Sequence, residues 1–230
     1  MKTSPVRSLA HLFVIIVLCG ATFAQSSKRA ASPSPTTAQT PTLPQASHLR
    51  GVVTGSVYEN DYFGLRFAVP TGWSIHDDAT KKNFMERGKA EIVAKDDQDR
   101  AGLDAAAERT LILFTASKIP LASTGQFNAV FMVLAEPVSL STTVPGYIEQ
   151  LKSILQQGKT PVSFSEEQVE TINGVQFHTF TTTFGSPANL VRQRFYLLIK
   201  KGHALALIST IVSDSDTEVM NSIIKSVSVK

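Results

Sequence analysis

From Leu65 to Val69 the chain alternates: Leu65, Phe67 and Val69 on one side, Arg66 and Ala68 on the other. A period of two marks a strand with one buried face. Asn60-Asp61 and Gly64 supply turn chemistry before it, and Tyr58 belongs to the strand that precedes the turn. Pro70 ends the ladder because it has no N–H to donate, and Gly72 lets the chain reverse. Trp73, the one tryptophan, reads as a packing anchor rather than a ligand-stacking residue. Asp77-Asp78 then cap a helix over 79–87. Near-continuous apolar runs over 111–118 and 128–136 predict strands covered on both faces, with Ser123-Thr124-Gly125 in the connection. Val144, Ile148, Leu151 and Leu155 recur at helical spacing, so 144–157 is a helix opened by Pro145 and ended by Gly158. Asn173-Gly174 joins strands over 166–172 and 175–184 into a hairpin. After a turn over 185–189, Lys201-Gly202-His203 joins 190–200 to 204–212. Ser215 and Glu218 fit a capping box for a last helix whose apolar face is Val219, Met220, Ile223, Ile224 and Val227.

The run from Tyr58 to Trp73 reads Y-x-N-x-x-x-G-[LF]-x-[FI]-x-x-P-x-G-W and resembles the start of PsbP-like domains and related bacterial domains of unassigned function. The closing Ile223-Ile224-Lys225-Ser226-Val227 fits the same pattern. The resemblance covers 57–230 and consists of strand and turn residues, so it speaks to fold and hardly to activity. It implies an α+β fold: a central antiparallel β-sheet flanked by helices, a PsbP-like α/β/α sandwich. That family includes a photosystem II extrinsic subunit, none of whose functional residues can be matched here one by one.

Export changes the picture of the N-terminus. Lys2 and Arg7 precede an apolar run over 12–18 and the small-residue site Thr22-Phe23-Ala24, the layout of a secretory signal over 1–24 cleaved between Ala24 and Gln25. The apolar run is shorter than the roughly 20 residues of a spanning helix, so no transmembrane segment is expected in the mature chain. Cys19, the one cysteine, follows Leu18 rather than the small residue a lipoprotein signal needs, and so reads as a discarded part of the leader. The mature chain would then hold no disulfide, no thiolate metal ligand and no thiol nucleophile. Residues 25–50, rich in Ser, Thr, Pro, Ala and Gln, form a disordered or polyproline II tether. One α+β domain follows over 51–230.

Charge excludes one class of partner. Five of the 22 basic residues lie before Gly51, leaving 17 against 19 acidic ones, a formal charge of −2 over 51–230. That gives no electrostatic case for nucleic acid.

Candidate chemistry is sparse. Of five histidines, His48, His76, His178 and His203 remain after the leader, and none has a metal-ligand spacing. His178 shares a strand face with Phe180, the usual place of a half-buried structural histidine. There is no G-x-S-x-G elbow, Glu166-Glu167 point apart in an extended chain, and Gly158-Lys159-Thr160 lacks the earlier glycine of a phosphate loop. An acidic stretch invites a calcium reading, with Asp97 first, Asp99 third, Gly102 sixth and Glu108 twelfth. Ala101 and Ala105 fall where ligands belong, so a solvated acidic loop is the better reading of the motif, and the stretch 89–109 is either a mobile connection or holds a short helix near 103–109. In the strand over 190–200, Arg192, Arg194, Tyr196 and Lys200 alternate onto one face, interrupted by Leu198. That face is either a solvated sheet surface or a partner-binding stripe.

No enzyme and no cofactor are therefore expected. The leading expectation is an exported, non-catalytic binding or assembly module of the bacterial cell envelope, periplasmic or extracellular, whose partner is a protein or envelope component. A calcium or small-ligand module is the alternative, and a hydrolase with a dispersed triad stands third.

Overall fold

A computed structural model describes residues 49–121, 128–186 and 189–230. The leader, most of the tether with His48, Ser123-Thr124-Gly125 and Pro187-Ala188 lie outside the described residues. The opening hairpin forms β2 (Val57–Asn60) and β3 (Leu65–Ala68). With β1 (Val52–Thr54) and the C-terminal β12 (Ser228–Val229) these make a four-stranded antiparallel sheet in the order β1-β2-β3-β12. Asn60 shapes the turn, its Oδ1 accepting from the Phe63 N–H at 3.0 Å. Gly64 has φ +64°, and a Cβ there would lie 2.6 Å from the Lys230 carbonyl oxygen, so the hairpin needs glycine to meet the chain's end.

The second sheet has eight strands, also antiparallel. They are β4 (Ser74–Ile75), β5 (Leu111–Ser117), β6 (Val130–Pro137), β7 (Ser163–Phe164), β8 (Gln168–Ile172), β9 (Val175–Ser186), β10 (Asn189–Lys200) and β11 (His203–Ile211). The order is β4-β5-β6-β11-β10-β9-β7, with β8 also on β9. Both predicted hairpins form around residues with positive φ: Asn173 (48°) and Gly174 (84°), Lys201 (49°) and Gly202 (71°). This is the turn whose twist matches paired strands.

Among the described residues four helices cover the sheets: α1 (Asp78–Glu91), α2 (Asp97–Arg109), α3 (Val144–Leu155) and α4 (Asp214–Ser226). Period two sends side chains of the large sheet into two separate cores. On one face Phe131, Val133, Leu198, Leu205 and Leu207 meet Met220, Ile223 and Ile224 of α4 and the aromatic side of the small sheet, Tyr58 and Phe67. On the other, Leu134, Phe195, Leu197 and Ile208 meet Ile148, Leu151 and Leu155 of α3 and Phe84 of α1. Phe180 and Phe195, opposite each other in the β9–β10 register, stack at 4.7 Å and 3°. A smaller cluster of Met85, Ile92, Leu103, Ala106 and Ile154 joins α1, α2 and α3. The architecture is α+β, antiparallel sheets flanked by helices.

The opening hairpin founds a sheet of its own beside the large one. The structure departs from the sequence reading in three places. The stretch 96–108 is a helix, not an acidic loop. Asp96 is its N-cap, accepting from the Asp99 N–H at 2.8 Å, and Leu103, Ala106 and Ala107 are its buried face. Alanines at this spacing pack closely, and they outweigh the charges that suggested a loop. α1 runs past Arg87 to Glu91. The last helix begins two residues earlier than expected, with Ser213 as N-cap. There Asp216 accepts from the Ser213 hydroxyl at 2.6 Å and the Val212 N–H at 3.4 Å.

Candidate functional site

The stripe on β10 does not form a continuous surface. Tyr196 is 2 % exposed and Leu198 7 %, both inside the core beneath α4 and the small sheet. Burial pushes the Tyr196 hydroxyl up to about 12. The second layer covers this part of the face, which a periodicity argument within one strand cannot see. Arg194 pairs with Glu170 of β8 and lies over the Tyr196 ring at 5.3 Å. Arg192 reaches Asp214 at the start of α4 at 3.4 Å. Lys200 donates to the Lys230 carbonyl. All four residues thus have partners within the molecule, and the face reaches solvent only at its two ends, at Arg192 and in part at Arg194 and Lys200.

The histidines are also engaged. His76 is buried, and its Nε2 lies 2.9 Å from the Ser117 Oγ. Ser117 gives its own proton to the Ile119 carbonyl at 2.7 Å, so His76 is the donor and the hydroxyl accepts. A serine nucleophile needs the opposite polarity. Burial also pulls the His76 pKa below its ordinary value, which keeps the ring neutral. His178 Nδ1 pairs with Glu167 Oε1 at 2.6 Å on the partly exposed sheet edge. His203 packs edge-on to Phe63 at 5.3 Å with Nδ1 on the Lys201 carbonyl. Trp73 lies half-buried against the larger core, as a packing anchor does. Gly158 closes a bridge to Ile92, and Glu166 is exposed while its neighbour Glu167 is the residue paired with His178.

Three arrangements were not anticipated. The first is Glu136 at the end of β6, fully buried, with Oε2 accepting from the Tyr147 hydroxyl of α3 at 2.9 Å. A single acidic residue ending the otherwise apolar 128–136 run was the signal for it. The second is Asp216, 1 % exposed, which accepts from Lys118 Nζ at 2.8 Å.

The third is a cleft of about 470 Å³ between α1, the end of α2 and the start of β5. Met85, Ala107, Leu111, Ile112 and Leu113 form its apolar floor. Around the rim stand Arg50, Lys81, Lys82 and Lys89 against Asp78, Glu86 and Glu108. Asp78 pairs with Arg50 and, at 3.3 Å, with Lys81, and the Arg50 bond holds its carboxyl below the usual range. Lys89 bridges Asp104 at 3.0 Å and Glu86 at 3.3 Å; the bond to Asp104 raises its pKa. Lys82 and Glu108 make no ion pair among the described residues. An apolar floor with a charged rim is complementary to a group with an apolar body and a charged end, and the volume lies in the range of ligand pockets. Residues from α1, α2 and β5 meet only in the fold, so no local spacing reveals it. No group of acidic and histidine side chains suited to a metal is present among the described residues.

No family model matches the chain, and no curated protein matches it. Among solved structures it is similar to cyanobacterial PsbP (CyanoP) from Synechocystis sp. PCC 6803, with 11 % identity over 78 % of this chain and 95 % of that one, at a TM-score of 0.49. It is also similar to LpqN of Mycobacterium tuberculosis, described as involved in cell envelope biogenesis, with 11 % identity over 83 % of this chain and 99 % of that one, at a TM-score of 0.42. At such identities and TM-scores, neither likeness carries a residue role or an activity to this chain. No described helix is long and apolar enough to cross a membrane.

Proposed function

We propose that this protein is an exported, non-catalytic binding module of the bacterial cell envelope that engages an envelope component through the α1–α2–β5 cleft. One observation carries the reading. The cleft combines an apolar floor with a charged rim, and one rim residue, Arg50, stands where the tether joins the domain. Arg50 pairs with Asp78 at the mouth of the cleft. The partner chemistry that fits is an apolar segment with an adjacent anionic group, which Lys82 can meet without breaking an existing pair.

The experiment is photo-crosslinking in the native envelope from a photoreactive residue at position 82, in wild-type and Leu111→Arg backgrounds. The reading expects one dominant adduct that is lost when a charge fills the apolar floor. An adduct pattern identical in both backgrounds, or none at position 82 while exposed sites elsewhere react, would refute it.

A further inference from the structure

Where β6 hands the chain to α3, a carboxyl group is sealed inside the protein. Glu136 is 0 % exposed; Oε2 accepts from the Tyr147 hydroxyl at 2.9 Å, while Oε1 has no partner. Tyr147, 4 % exposed, lies in the first turns of α3, its N–H bonded to the Thr143 carbonyl at 3.0 Å. The link between them runs over 138–143, fixed by Val138 N–H to the Gly202 carbonyl at 2.9 Å and by Thr143 capping Gly146, with Leu140 fully exposed. The groups facing the carboxyl are few: Tyr147 from α3 and Arg109 from the end of α2, while β11 places Ala204 opposite it. The neighbouring His203 is turned to the Lys201 carbonyl.

We propose that Glu136 and Tyr147 form a proton-sensitive latch that holds the first turns of α3 onto β6 and releases them when the carboxyl ionises. As a neutral acid, Glu136 takes the tyrosine bond and leaves one uncharged oxygen without a partner, a modest cost. On ionisation its proton passes to solvent, and a full charge is left buried with one hydrogen bond. That is far more costly. Burial accordingly pushes its pKa up to about 7, against the opposing pull of Tyr147 and Arg109. Burial and the neighbouring Glu136 raise the Tyr147 pKa too, so the tyrosine stays protonated and donates. The cheapest relief for the ionised pair is to lift the first turns of α3 and admit water. Ile148, Leu151 and Leu155 hold the rest of the helix to the sheet.

The test is amide hydrogen exchange on the full chain at pH 5.5 and 8.5, corrected for intrinsic rates. With a closed-state pKa of about 7 and an ordinary carboxylate in the open state, linkage makes opening about 30-fold more frequent at the higher pH. Peptides over 137–150 should show that loss, those over 192–199 in β10 should not, and Glu136→Gln should abolish the pH response. Tyr147→Phe removes a donor to the carboxylate and should move the midpoint upward. Equal protection over 137–150 at both pH values in the wild type overturns the proposal. So does a pH response that survives in Glu136→Gln, or a midpoint that falls in Tyr147→Phe.

Discussion

Replacing Asp216 by Asn removes one charge from the N-terminus of α4 and leaves the shape almost unchanged. The carboxylate is 1 % exposed and accepts from Lys118 Nζ at 2.8 Å, Ser213 Oγ at 2.6 Å and Val212 N–H at 3.4 Å. Hydrogen bonds to a charged group contribute about 1.5–3 kcal/mol each, and breaking a buried pair costs about 3–5 kcal/mol. The Lys118 side chain is 43 % exposed and regains water when its partner loses charge, so the lower figure applies. Asp216→Asn should therefore destabilise the folded chain by about 3 kcal/mol. For a domain of this size that is a fall in Tm of about 6–12 °C. Lys118→Met leaves the carboxylate buried without its cation and should cost at least as much; the double variant should be less damaging than the sum of the two.

The same residue has a pH signature. Burial would raise its pKa, but Lys118 and Ser213 more than offset this and hold it below the ordinary 3.8. Its contribution is then fully present above the unfolded value and is lost as pH falls through the folded one. Urea titrations from pH 7 down to pH 3 measure both effects. A loss below about 1 kcal/mol at pH 7, or strict additivity with Lys118→Met, refutes the reasoning.

Other consequences are simpler to check. Leu151→Ala empties a fully buried position between α3 and the sheet, and urea unfolding should show a loss of about 3 kcal/mol. Gly64 and Gly174 both have positive φ, but only at Gly64 would a Cβ strike backbone, the Lys230 carbonyl oxygen at 2.6 Å. Gly174→Ala should cost about 1 kcal/mol and Gly64→Ala clearly more, again by urea unfolding, and equal losses would contradict the close approach. Arg194→Ala breaks a partly exposed pair with Glu170, and thermal unfolding should register under about 1 kcal/mol.

Local pattern carried much of the fold. Alternation and turn chemistry located β3, β9, β10 and β11, and helical spacing located α3, because each signal lies within one element. What escaped was whatever depends on two elements meeting. Tyr196 looked like an exposed member of an alternating face, and it is buried because a second sheet and α4 lie on top of it. Asp97, Asp99 and Glu108 favoured a loop over a short helix near 103–109, although Leu103, Ala106 and Ala107 dock on α1 a helix that starts already at Asp97. Ser215 with Glu218 matched a capping pattern, but the helix starts at Ser213, where Asp216 binds the Ser213 hydroxyl and Lys118, a residue 98 positions away. The cleft was invisible for the same reason: its rim is assembled from the tether junction, α1 and α2.

Export underlies the proposed role, and intact-mass analysis of the protein recovered from its native envelope tests it directly. A chain beginning at Gln25 is the predicted result. Recovery from the cytoplasm with Met1 still attached would contradict the account, and a chain beginning at a diacylated Cys19 would overturn its reading of the leader.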